Sequence, residues 1–266
     1  MINGIVFSKD RAAQLKLFLD SVEKNANGVF SLNVLYTYSN DEFEKGYNKL
    51  MEQFPEVKWI KEIDFREQTL AILENSIYNY TSFFTDDDII YGRVDENEMI
   101  SKLETDNDAF CFSMRLGLNT NKCYTMRCDN VIMPDYEDDK FIKWNWSVHY
   151  MDFGYPLSVD GHIFKTKEIH KLSKKVMFQN PNTFEAALQM FGNYPKKTMW
   201  SYKQSKLVNS PSNVVQSVFP NREGEFHGIS AQELNDNFLS GREIKLNKID
   251  FSNIVGCHQE LELPFE

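Results

Sequence analysis

Three observations predict an α/β fold built on a largely parallel sheet. Short β-rich runs alternate with helical patterns over the first hundred residues, and the fourth run leads straight into Asp86-Asp87-Asp88. The chain is also long enough, at 266 residues with 42% hydrophobic and 26% charged side chains, to bury one large core or two small ones. Disulfide-stapled miniproteins and disordered chains are thereby excluded.

Gly4-Ile5-Val6-Phe7 reads as the first strand. Asp10 stands where a cap belongs, and Leu15, Phe18, Leu19 and Val22 then recur at intervals of three and four, the stripe of a helix facing a core. Leu32 to Tyr38 predicts a second strand, Asp41 to Gln53 a second helix, and Val57 to Ile60 a third strand after Pro55. Arg66 to Tyr78 carries Leu70, Leu73 and Ile77 on one helical face, and Tyr80 to Thr85 forms the fourth strand. Beyond it the alternation weakens into an aromatic-rich half in which Ala109 to Met114 and Leu157 to Phe164 still read as strands. Lys143-Trp144-Asn145-Trp146 is too polar for a plain core strand, so both tryptophans are candidates for stacking on a ligand as well as for packing. Asn180-Pro181-Asn182 signals a helix start before Thr183 to Phe191. The tail after Asn209 mixes turn residues with short apolar runs suited to a closing flap.

The chain carries 29 Lys and Arg against 39 Asp and Glu, a net charge of −10, which argues against a global attraction to nucleic acid or to an anionic membrane. No run of about 18 apolar residues occurs, and MINGIVFSKDR lacks the pattern of a signal peptide, so a cytoplasmic protein is expected. The thiols of Cys111, Cys123, Cys128 and Cys257 are then reduced. Cys123 and Cys128 have no second pair at metal spacing, and zinc is not expected.

The acidic triplet is the strongest chemical signal. Ligands of open α/β sheets sit beyond the carboxyl ends of the strands. Adjacent carboxylates there repel one another unless a cation intervenes, and oxygen donors select Mg²⁺ or Mn²⁺. In an extended segment Asp86 and Asp88 share a side, one for metal and one for a ribose hydroxyl or metal-bound water, while Asp87 faces the scaffold. The competing structural reading is a solvated turn.

Phe7-Ser8-Lys9-Asp10-Arg11, Phe83-Phe84-Thr85-Asp86-Asp87-Asp88-Ile89-Ile90 and Ser158-Val159-Asp160-Gly161-His162-Ile163-Phe164-Lys165 together resemble the GT-A glycosyltransferases, whose hydrophobic strand ends in a D-x-D motif. The resemblance implies a Rossmann-like, mixed, mostly parallel central sheet flanked by helices. Residues 1–115 would form the nucleotide-sugar half and 116–266 an irregular acceptor-binding and catalytic half of the same domain. It implies a nucleotide-sugar donor, UDP-linked by preference, a glycan or glycolipid acceptor, and Mn²⁺ or Mg²⁺ across the diphosphate. Asp88 becomes the metal ligand and Asp86 the ribose or metal contact, with Asp10, Arg11, Arg66 and Asp87 completing the donor site.

In inverting members an acidic residue opens a helix about a hundred positions after D-x-D, which assigns Glu185 as general base in the first turn of its helix. Ala186 stands where such members often carry a second acid. Asp160 is the alternative base or a sugar contact. His227, in the polar loop Asn221 to Gly228, is preferred over His258 as an additional metal ligand. As structural alternatives, Asp10 and Glu185 serve their helix starts, Asp160 a turn, and His227 the surface. Lys196 to Lys206 is basic with interleaved aromatics, which suits a solvated face or attachment to the inner membrane surface near a lipid-linked acceptor. Without Glu185 in line, a retaining transfer takes over. A nucleotidyltransferase would also use strand-end aspartates, but no glycine-rich phosphate loop follows the first strand. A binding protein without turnover is the non-enzymatic alternative.

Overall fold

The computed structural model of the chain describes residues 1–213 and 224–266. The elements in chain order are β1 (Ile2–Lys9), α1 (Ala12–Asn25), β2 (Phe30–Thr37), α2 (Asp41–Gln53), β3 (Lys58–Lys61), α3 (Phe65–Glu74), β4 (Tyr80–Thr85), β5 (Asp88–Ile90), α4 (Glu96–Thr105) and β6 (Ala109–Ser113). There follow β7 (Lys122–Cys123), β8 (Cys128–Asp129), β9 (Tyr136–Glu137), β10 (Phe141–Asn145), β11 (His162–Lys165), α5 (Thr166–Ser173), α6 (Pro181–Leu188), β12 (Thr198–Tyr202), β13 (Leu207–Asn209) and α7 (Ala231–Leu239). The alternation of the first half is thus the alternation of βα units.

One sheet runs β3-β2-β1-β4-β11-β6-β12-β10-β9. β3, β2, β1 and β4 are mutually parallel, whereas β11 enters antiparallel between β4 and β6. Period-2 alternation sends Val6 and Phe84 to one face, where α1, α2, α4 and α7 cover them, and Ile5, Phe7 and Phe83 to the other, under Phe65, Ile72 and Phe184. Gly46 permits a close approach of helices: a Cβ there would lie 2.6 Å from Asn235 Oδ1 of α7 and 2.8 Å from Ala12 Cβ of α1. Among the described residues no helix is long and apolar enough to cross a membrane.

Several local expectations are corrected. Asp10 is not the cap of α1; it sits at φ 57° and its carboxylate accepts from Ser39 N–H at 2.7 Å. The helix expected to reach Tyr78 stops at Glu74, and Ile77, counted toward its apolar face, is 86% exposed. Trp144 and Trp146 are buried, the first inside β10 with its indole N–H donating to Phe153 O at 2.8 Å, so neither offers a face to a sugar. The stretch Lys196 to Lys206 contains the sheet strand β12. Its Trp200 and Tyr202 are buried, and Lys196 and Lys203 pair with Glu168 and Glu137, so the aromatic half of the membrane-contact pattern is spent in the core.

Candidate active site

A cavity of about 850 Å³ opens over the carboxyl ends of β1, β2 and β4, the place an open α/β sheet reserves for ligands. Ser8, Lys9 and Arg11 form its floor, Thr37, Tyr38, Ser39 and Glu62 one wall, and Asp86 and Asp87 its acidic centre. Arg115, Tyr155, Asp160, Glu185 and His258 close the opposite side.

The acidic triplet does not continue as one extended strand. Asp86 and Asp87 occupy a turn between β4 and β5, which breaks the two-residue alternation and exchanges the expected positions of Asp87 and Asp88. Asp86 and Asp87 line the cavity, where Arg11 Nη1 donates to Asp86 Oδ1 at 3.2 Å and to Asp87 Oδ2 at 2.9 Å. Lys9 N–H adds a bond to Asp86 at 3.1 Å. Asp88, expected to be the metal ligand, is fully buried in β5 behind the cavity wall, accepting from Thr85 N–H at 3.1 Å and from Asn209 Nδ2 at 3.2 Å. Asn209 also donates to Asp87, at 2.8 Å.

Burial raises the pKa of Asp86 to about 7 against the opposing charge of Arg11, with the Asp87 carboxylate adding to the rise. Burial, then the carboxylates of Asp160 and Asp87, push Asp88 well above the usual range. A hard divalent cation fits this oxygen donor set. Asp86 and Asp87 are the groups that reach the cavity to hold one.

Antiparallel entry of β11 explains Asp160. The chain turns at Gly161, φ 68°, whose N–H donates to Phe83 O at 2.8 Å, and this sets Asp160 beside the end of β4. Its oxygens are already engaged: Thr85 Oγ1 at 3.2 Å on Oδ1, and Arg115 Nη1 at 2.9 Å with His258 Nε2 at 3.2 Å on Oδ2. Burial opposes its ionisation, but the His258 bond and the Arg115 charge outweigh burial and hold Asp160 below the usual carboxylate range.

Glu185 is placed by its neighbour. Phe184 is buried and packs edge-on against Phe83 at 5.3 Å and, with rings tilted, against Phe178 at 4.4 Å, which turns the next residue toward the cavity. α6 begins at Pro181 with a capping box made by Asn180 and Thr183, so Glu185 is its fifth residue, outside the first turn, and does not serve the cap. Its carboxylate accepts from Val159 N–H at 3.0 Å and from Tyr155 OH at 3.2 Å. Burial, with the Asp160 charge, raises its pKa.

These shifts carry a pH consequence. With folded-state pKa values above the ordinary ones, Asp86, Asp88 and Glu185 bind more protons in the folded than in the unfolded chain, so stability falls as pH rises. For Asp86 the window runs from about pH 4, the unperturbed value, to about 7. Melting curves in metal-free buffer should show the melting temperature declining between pH 5 and 7.5, and Asp86→Asn should flatten that decline.

Other expected site residues lie elsewhere. Asp10 is not part of the cavity lining and instead braces Ser39 from behind. Arg66 points away, donating to Val176 O at 3.0 Å and Lys174 O at 3.2 Å and pairing with Glu67. His227 is exposed, held through its backbone N–H by Glu260 at 2.8 Å. Asn221, Arg222 and Glu223 of the same loop lie outside the described residues. Three groups were not anticipated. Arg115 is 2% exposed and sits 2.9 Å from Asp160 and 3.9 Å from Asp152; a lone arginine in the apolar run Phe112 to Leu116 is a signal for such a buried cation. Tyr155 and Asn209 carried no comparable mark.

No protein-family model matches the chain. It superposes on the crystal structure of TarS from S. aureus with a TM-score of 0.51 and 10% identity, over 80% of this chain and 37% of that one. The chain has the GT-A fold. In sequence this GT-A chain is 29% identical over 253 residues to the bifunctional glycosyltransferase pgtA of Dictyostelium discoideum, covering 83% of the chain. It spans about a third of that relative's length, 33%. A mannosyltransferase of Pyrobaculum calidifontis, solved with GDP-Man and Mn²⁺, aligns at a TM-score of 0.41 and 10% identity over 77% of this chain and 54% of its own.

Proposed function

We propose that the chain transfers one sugar, with inversion, from a nucleotide-sugar donor to a hydroxyl of a glycan or glycolipid acceptor, UDP-sugars being the first donors to test. The observation that carries the reading is one cavity holding two kinds of carboxylate. Asp86 and Asp87 follow the end of β4, and Glu185, with a raised proton affinity, lines the same cavity.

Thr37, Tyr38, Ser39 and Glu62 surround the space for the base, and Lys9 and Arg11 the space for ribose and phosphate. Asp87, with Asp86 as second ligand or ribose contact, would hold Mn²⁺ or Mg²⁺, which would supply charge neutralisation to the departing diphosphate. Glu185 takes the proton of the acceptor hydroxyl as the new bond forms, and Tyr155 and Val159 hold its carboxylate in place. Asp160 is a poorer base, because the His258 bond and the Arg115 charge hold its carboxylate below the usual range and so reduce its proton affinity. The hairpin tip Tyr124-Thr125-Met126 and Met151, on the cavity rim, face the acceptor.

Thermal shifts test the donor half of this reading. Nucleoside diphosphates should raise the melting temperature only with Mn²⁺ or Mg²⁺ present, by an amount that grows with ligand concentration. Asp87→Asn should lose that cation-dependent increment while keeping the fold. A full cation-dependent shift in Asp87→Asn would exclude the proposed ion site.

A further inference from the structure

Beside the aspartate pair, the fold assembles a second group of cation donors of a different chemical kind. Asp152 on the short 3₁₀ turn Met151–Gly154, and Cys257 and His258 near the C-terminus, bring one ligand atom each within 4.8 Å of one another. Asp152 lies about a hundred residues from the adjacent pair Cys257-His258, so no spacing motif announces the group. Asp152 and Cys257 are buried and His258 is half-buried with its ring on the cavity.

We propose that Asp152, Cys257 and His258 bind one zinc ion through a carboxylate oxygen, Sγ and Nδ1, fixing the C-terminal segment against the cavity wall. The site rests on its own donors and does not depend on the glycosyl-transfer reading.

Thiolate, imidazole and carboxylate together select zinc over Mg²⁺ or Mn²⁺. The spacing agrees with this. Zn–S and Zn–N bonds of about 2.3 and 2.05 Å at a tetrahedral angle hold sulfur and nitrogen about 3.6 Å apart. Cys257 Sγ and His258 Nδ1 are separated by 3.6 Å. The surrounding groups also match what metal ligands require, since a ligating histidine commonly gives its other ring N–H to a carboxylate, and ligating carboxylates are themselves hydrogen-bonded. His258 Nε2 lies 3.2 Å from Asp160 Oδ2, and Asn130 Nδ2 donates to Asp152 Oδ2 at 3.0 Å.

Binding releases to solvent the Cys257 thiol proton and the proton of His258 Nδ1 where the ring is cationic, leaving His258 neutral with its remaining proton on Nε2 toward Asp160. Arg115, whose Nη2 is 3.9 Å from Asp152 Oδ1, limits the negative charge that two anionic ligands and Asp160 bring together. Cys123 lines the same cavity, and its hairpin is tied to the Cys257 segment by Lys122 N–H donating to Val255 O at 2.9 Å.

The test is metal analysis of the full chain, purified without chelator and dialysed against zinc-free buffer. About one equivalent of zinc should remain, and it should fall to background in Cys257→Ser and in His258→Asn. Cys128→Ser, which changes a half-exposed thiol outside the donor group, should keep it. Replacement of the ion with Co²⁺ should give the intense visible bands of a tetrahedral site and a thiolate charge-transfer band that disappears in Cys257→Ser. Circular dichroism of each variant separates ligand loss from misfolding. A folded native protein that takes up no zinc, or a folded Cys257→Ser that binds it unchanged, would overturn the proposal. Asp87→Asn should retain zinc, so failure of the donor-site reading and failure of the zinc site give different results.

Discussion

Replacing Glu185 with glutamine will lower the rate of sugar transfer by about 10²- to 10⁴-fold, the range a positioned general base contributes, while leaving donor affinity unchanged. The side chain keeps its size, and its carbonyl oxygen still accepts from Val159 N–H while the new amide meets the Tyr155 hydroxyl oxygen, so the scaffold is preserved and only the proton acceptor is lost. Donor binding measured by calorimetry beside single-turnover transfer separates the two effects. Near-normal turnover in this variant would remove Glu185 from the chemistry. Tyr155→Phe deletes one of the two bonds that orient the carboxylate and should cost far less than the glutamine substitution.

The second large effect is on stability. Arg115→Ala will destabilise the fold by about 3–5 kcal/mol, because removing one partner of a buried ion pair leaves the other uncompensated. Here two carboxylates, Asp152 and Asp160, lose their shared cation at once. Against a total stability of about 5–15 kcal/mol this is a substantial fraction, readable as a drop in urea midpoint. Arg115→Lys should fall between the two, since one ammonium does not reproduce the two-nitrogen reach of the guanidinium. An alanine variant as stable as the wild type would show that Asp152 and Asp160 are neutralised by other means.

The two effects differ in how visible their residues were. Glu185 could be located from the helix-start signal and from the family resemblance, although its packing could not. The stripe Leu15, Phe18, Leu19 and Val22 and the runs Gly4 to Phe7 and Tyr80 to Thr85 likewise follow from periodicity, because a face that must be buried repeats at the pitch of its own element. The first half is built of such local units, so its βα order was legible residue by residue. Trp144 was misjudged because polarity averaged over four residues hides the alternation by which one side of β10 is core and the other is not.

Local pattern accounts for the α/β class, the order of strands and helices through β4, and the presence of an acidic cluster at a strand end, since each depends on residues within a few positions of one another. The positions within that cluster, and the company it keeps, were decided only by the folded chain. A turn at Asp86 and Asp87 withdraws Asp88 from the cavity, the antiparallel return of β11 delivers Asp160 to Thr85, and Arg115, Asp152 and His258 meet from segments remote in the chain. Hydrogen-bond geometry and burial between distant segments act through space, and linear spacing carries no record of them until the sheet has brought those segments side by side.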